Sequence, residues 1–185
     1  EGLRKIRAEI TEEQLAGIRQ TLAVEGKRVL LFSGRLYAEK KVDFLLRAFA
    51  ILKQTFPRVA LLIIGDGEER AELEKLAKHL DLNDVHFLGE RVDPRETAAY
   101  FLLADLMVIP GLVGLAIVHG FAFGLPVITT EPQCHGPELD YLSDQNGAKT
   151  VGDVSKYADV IAGLLSAPLR LEAMKRSASE QGDQL

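Results

Sequence analysis

Short, mostly apolar runs recur along this chain at 28–32, 59–64, 85–88, 106–109 and 126–129, with a weaker one near 148–151. Between them lie amphipathic stretches of helical period, at 42–55, 68–80, 94–103, 114–123 and 154–166, with a last one at 168–180. A run such as ALLII has no polar alternate positions, so a strand made of it is buried on both faces. Strands of that kind, separated by single helices, fit few architectures. The expectation is an α/β, doubly wound parallel sheet with right-handed crossovers and helices on both faces.

Ahead of the first strand, Thr11 and Gln14 form a capping-box pattern, and Leu15, Ile18 and Leu22 fall on one helical stripe. Residues 1–25 therefore read as a helical lead-in or linker and 26–185 as the domain proper. The tail SASEQGDQL is polar and is expected to fray from about residue 180.

Composition removes several classes of function. A net charge of −5 gives no overall footprint for nucleic acid or an anionic membrane. Cys134 is the only cysteine, so an intrachain disulfide and a thiolate metal cage are both excluded. From Leu106 to Thr130 the only titratable side chain is His119, and a hydropathy scan reads a membrane span there. Pro110-Gly111 and Gly124-Leu125-Pro126 break the run where a strand–loop–helix–strand would turn, so it reads as core.

The chemistry collects where strands end. Loops after the apolar runs carry Gly34-Arg35, Gly65-Asp66-Gly67, Gly89-Glu90-Arg91, Pro110 through Gly114, and Thr129-Thr130-Glu131. Open α/β sheets bind ligands at that edge. Arg35 and Lys40, within one loop, suit a diphosphate: the arginine as a planar fork, the lysine as a point charge. A solvated loop rich in Arg, Glu and Lys also fits those residues. GDGEER nearly matches the dinucleotide fingerprint, but Arg70 replaces its third glycine and the motif follows the second strand. It reads as a tight strand-to-helix turn. No GxxxxGK[ST] occurs, which excludes a P-loop. Backbone N–H groups at Gly114 and Leu115, beside Val113, can face a phosphate or sugar oxygen. His119 follows one turn later. Glu138 either accepts from ligand hydroxyls or favours the dipole of a short helix begun by Pro137. Cys134-His135 is not read as a nucleophile and base, because adjacent side chains in an extended segment point apart.

Five stretches in order carry a resemblance: FSGRLYAEKKVDFLLRAF, LLIIGDGEERAELEKLA, VHFLGE, ADLMVIP and GLAIVHGFAFGLPVITT, ending in GPEL and NG. From about 28 to 165 the chain resembles the C-terminal, nucleotide-sugar donor-binding domain of a GT-B glycosyltransferase, in the family 4-like retaining group. The resemblance implies a Rossmann-like sheet forming half of a two-domain enzyme. Its donor is a UDP- or GDP-type nucleoside diphosphate sugar, and its acceptor site lies on a partner N-terminal domain. Arg35 and Lys40 match the diphosphate-binding pair. A glycine commonly follows that lysine, where this chain has Lys41, so either lysine fits the role. Leu88, Gly89 and Arg91 match the region flanking the base, and Gly114 and Leu115 the helix start that meets phosphate and sugar. Gly111 and His119 stand where the family carries two glutamates. The resemblance implies no metal or other cofactor, no nucleic-acid partner and a cytoplasmic location. The whole enzyme is either free or peripheral at the inner membrane face. A sugar-nucleotide epimerase, a phosphorylase and a non-catalytic binding domain are the alternatives. The 185-residue chain is expected to bind donor weakly and to lack transferase activity by itself.

Overall fold

The computed structural model describes residues 2–91, 93–131 and 136–185. Two helices come first, α1 (Gly2–Glu9) and α2 (Glu12–Thr21). The Thr11 hydroxyl accepts from the Gln14 N–H, and the Gln14 side chain accepts from the Thr11 N–H, which closes the capping box. Then follow β1 (Arg28–Ser33), α3 (Val42–Thr55), β2 (Val59–Ile64), α4 (Arg70–His79), β3 (Val85–Gly89) and α5 (Pro94–Leu103). The second half runs β4 (Leu106–Val108), α6 (Ala116–Ala122), β5 (Val127–Thr130), β6 (Gly147–Thr150), α7 (Val154–Leu165) and α8 (Pro168–Gln184).

All strand pairings are parallel, in the order β3-β2-β1-β4-β5-β6. The chain therefore starts in the middle of the sheet, works outward to β3, then returns to β4 on the other side of β1. That return makes a topological switch point between β1 and β4, where the loops leaving the two strands diverge and open a crevice. The apolar runs are the reason for the architecture. Every residue of β2 is buried, and so is each residue of β4, because helices cover both faces of the sheet.

Helices α3, α4 and α7 pack together on one face. On the other, α6 packs on α8, while α1 and α2 lie against α5. The apolar stretch 106–130 is β4, α6 and β5. Among the described residues no helix is long and apolar enough to cross a membrane. One expectation needs correcting. The polar end from about 180 does not fray: α8 continues to Gln184. Leu171, Met174 and Ala178 form its buried stripe, and Gly182 lies against the backbone of Phe121 and Ala122. Small residues on that stripe let an otherwise polar helix lie close to α6.

Candidate functional site

The loop leaving β1 is held by its neighbours' backbones. Gly34 N–H donates to the Ile64 carbonyl (3.0 Å) and Leu36 N–H to that of Asp66 (2.9 Å). In return Glu69 N–H donates to Leu36 (3.1 Å). Gly65 sits so near that a Cβ there would lie 2.9 Å from the Gly34 carbonyl carbon, and its φ of 134° also favours glycine. The GDGEER glycines thus brace the Arg35 loop, as expected of a strand-to-helix turn.

After Gly34 the chain makes a 3-10 turn, Ala38–Lys40, and enters α3 through Lys41. Lys40 points inward and is 7% exposed. Its Nζ donates to the carbonyls of Leu112 (2.5 Å) and Val113 (3.4 Å), in the loop after β4. It lies 3.8 Å and 3.9 Å from where a Cβ would project from Gly34 and Gly114. The ammonium therefore stands in the switch-point crevice, joined to both loops. The Tyr37 ring centroid is 5.8 Å away, within cation–π range. Burial lowers the Lys40 pKa, and the Glu138 carboxylate partly offsets this. Glu138 lies in a 3-10 turn, Pro137–Tyr141, and its charge faces the same crevice.

The backbones of the two loops also touch. Leu112 N–H donates to the Glu39 carbonyl (2.8 Å). A Cβ on Gly111 would overlap that carbonyl and come within 2.7 Å of the Lys40 Cα. The resemblance places a glutamate at 111; here the space for its side chain is filled by the backbone of residues 39–40.

Arg35 is exposed, and among the described residues it makes no hydrogen bond or ion pair. It lines a cleft of about 170 Å³ together with Gly34, Asp66, Glu90 and Arg91. Arg91 is anchored there: Nε donates to the Leu88 carbonyl (3.2 Å), Nη1 pairs with Glu96 (3.4 Å), and its guanidinium lies 5.8 Å from the Tyr100 ring centroid. Gly89 reaches the same edge, its carbonyl accepting from Gly65 N–H (2.8 Å).

The fold thus brings Gly34, Lys40, Gly111, Val113, Gly114 and Glu138 around one crevice, with Arg35, Leu88, Gly89 and Arg91 beside it. Val113 is buried and Leu115 is 69% exposed at the start of α6. His119 is exposed on α6, its ring 6.5 Å from Phe101 of α5. Lys41 is exposed with a left-handed φ of 52°. That conformation gives the glycine commonly found there a physical reason. Cys134 and His135 lie outside the described residues. Among the described residues no three His, Cys, Asp or Glu side chains converge as metal ligands. Tyr37 is the contributor the sequence reading missed; the signal was an aromatic three residues before the lysine, across a single turn.

Residues 16–181 match the protein family described as "Glycosyl transferases group 1". The chain is 31% identical over 169 residues to the alpha-monoglucosyldiacylglycerol synthase of Streptococcus pneumoniae, an alignment covering 88% of this chain and 37% of that protein. Its fold is similar to that of Anabaena HepE, solved with UDP and glucose: TM-score 0.81, 24% identity, 95% of this chain and 48% of that one. It is also similar to the C-terminal domain of a group 1 family protein, LpcC, from Francisella tularensis. There the TM-score is 0.73 at 20% identity, over 90% of this chain and 91% of that one. The chain thus spans less than half the length of the pneumococcal synthase and of the Anabaena chain.

Proposed function

The chain belongs to the group 1 glycosyl transferases, and on that premise we propose that it is the donor-binding part of a longer retaining enzyme. Its ligand in this reading is a nucleoside diphosphate sugar, and its product a glycoside formed on an acceptor hydroxyl. The observation that carries it is the Lys40 ammonium, buried between the β1 and β4 loops at the switch point with Arg35 at the adjoining rim.

The chemistry follows from charge. As the glycosidic bond to the donor breaks, negative charge grows on the departing diphosphate. Fixed cations and free backbone N–H groups aimed at that charge stabilise the transition state, and in a crevice shielded from water they do so strongly. Lys40 has three donors, and two are taken by the Leu112 and Val113 carbonyls. The third is available to a phosphate oxygen. Arg35, without a hydrogen bond or ion pair among the described residues, offers a bidentate fork from the rim. Gly114 and Leu115 present N–H groups from the opposite loop. In this reading these cations, rather than a metal, meet the diphosphate. The acceptor, and any acid or base acting on it, belongs to the rest of the enzyme, so the 185-residue chain binds donor without transferring sugar.

A second reading, binding without turnover in the whole protein, rests on Gly111, where backbone occupies the place of a carboxylate side chain. Calorimetric titration with UDP and with GDP tests the shared premise. Saturable binding of either supports it; no binding of either up to millimolar concentration, with the fold intact, overturns it. Sugar transfer by the longer protein then separates enzyme from binder.

A further inference from the structure

The amino-terminal edge of the sheet, opposite the crevice, carries charge that the donor reading does not use. A cleft of about 520 Å³ opens there, at the starts of β1, β2 and β4. Its walls hold Arg19, Lys27, Arg28 and Arg58, against one carboxylate, Asp105. Apolar atoms of Phe56 and Leu103 complete the lining. Four cations against one acid is a marked excess in a chain whose net charge is −5.

The surrounding ion pairs do not cancel it. Asp105 accepts from Arg28 (3.0 Å), from Lys175 (3.4 Å) and from the Val29 N–H (3.0 Å), so it is shared by two cations, of which Lys175 also pairs with Glu172 (3.4 Å). Asp84 is likewise shared, between Lys27 (2.6 Å) and Lys53. Arg19 pairs with Glu12 at 3.7 Å. Arg58 is exposed and forms no ion pair among the described residues. Its guanidinium lies across Gly26, where a Cβ would displace it.

We propose that this cleft is a second anion site, taking a small phosphorylated molecule whose phosphate sits among Arg19, Arg28 and Arg58 and whose apolar part lies on Phe56 and Leu103. The volume is in the range of small-molecule sites, and guanidinium forks match phosphate geometry. A membrane surface fits less well, because the chain as a whole is negative.

The test uses amide NMR on the 185-residue chain, with inorganic phosphate titrated in and the two edges of the sheet read separately by their own amides. Saturable shifts are expected at Gly26, Lys27 and Arg58. Arg58→Ala should weaken them by about tenfold, since charge-assisted hydrogen bonds are lost. The melting temperature should change little, because the Arg58 side chain makes no ion pair among the described residues and the backbone bond from Arg28 is kept. Arg35→Ala should leave these shifts untouched, which separates failure here from failure at the crevice. Absence of saturable shifts at this edge overturns the proposal, as does equal binding by Arg58→Ala. Tight binding to phosphatidylglycerol vesicles without any response to inorganic phosphate also overturns it, in favour of a membrane contact.

Discussion

Gly111→Ala adds one methyl at the point where the loops after β1 and β4 meet, and its cost can be worked from the contacts. The new Cβ would stand 2.5 Å from the Lys40 carbonyl carbon and 2.7 Å from its Cα. Carbon atoms pack at about 3.5–4.0 Å, so the loops must part by roughly 1 Å. Overpacking of this kind costs about 1–3 kcal/mol. The Leu112–Glu39 backbone hydrogen bond, 2.8 Å in the native protein, is strained or lost, at about 1 kcal/mol more. The sum is about 2–4 kcal/mol. At this chain length each kcal/mol moves the melting temperature by about 2–4 °C, so a fall of roughly 5–15 °C is expected. Displacing the Lys40 ammonium by such a distance should also weaken UDP binding by about tenfold or more. Gly152→Ala, where nothing stands within 4 Å of a new Cβ, is the control and should melt as the parent does. Scanning fluorimetry and calorimetry read both quantities. If Gly111→Ala melts within about 1 °C of the parent, the backbone clasp is not as described. Gly111→Glu meets the same obstacle at its Cβ, so restoring the family's glutamate should destabilise this chain.

Three other outcomes follow from the same geometry. Lys41→Gly relieves a left-handed residue and should raise stability by about 1 kcal/mol while leaving UDP affinity in place; a loss of affinity would make Lys41 the diphosphate ligand instead of Lys40. UDP binding should fail as pH rises through the lowered Lys40 pKa, before the ordinary lysine range is reached. In the free chain the sign is opposite: the unfolded lysine holds its proton longer, so stability rises with pH across that window. Burial alone would raise the Asp84 carboxyl, but Lys27 and Lys53 outweigh it and hold it below its usual value. Asp84 therefore stabilises the fold above the ordinary carboxylate range and ceases to as pH falls through its depressed value. Asp84→Asn should cost about 1 kcal/mol at neutral pH and converge with the parent in acid melts.

The sheet was legible because its central strands β2 and β4 are buried on both faces and apolar without interruption, while the edge strands β3 and β6 are less buried and carry a weaker signal. The bounds of β2, α3 and α5 follow directly from that patterning and from Pro94 at a helix start. The carboxyl-edge cluster was legible too, since glycines and cations gather after β1, β3 and β4. What sequence could not supply was contact between loops far apart in the chain. Lys40 and Leu112 are 72 residues apart, and nothing local says that one ammonium will cap the other's carbonyl. The same holds for Gly111, which reads in sequence as a missing side chain and in space as the seat of the Glu39 carbonyl. Arg58 is a further case: as one arginine before a strand it is unremarkable, and its meaning comes from Arg19 and Arg28 brought beside it. The tail misled because its helix is held by Ala178 and Gly182, small residues that carry little hydropathic signal.

Amide chemical-shift mapping of the isotopically labelled chain with UDP tests the central claim most directly. The account predicts saturable shifts centred on Gly34, Arg35, Lys40 and Gly114, abolished by Arg35→Ala for UDP and far less affected for uridine. Shifts that avoid these residues would contradict it.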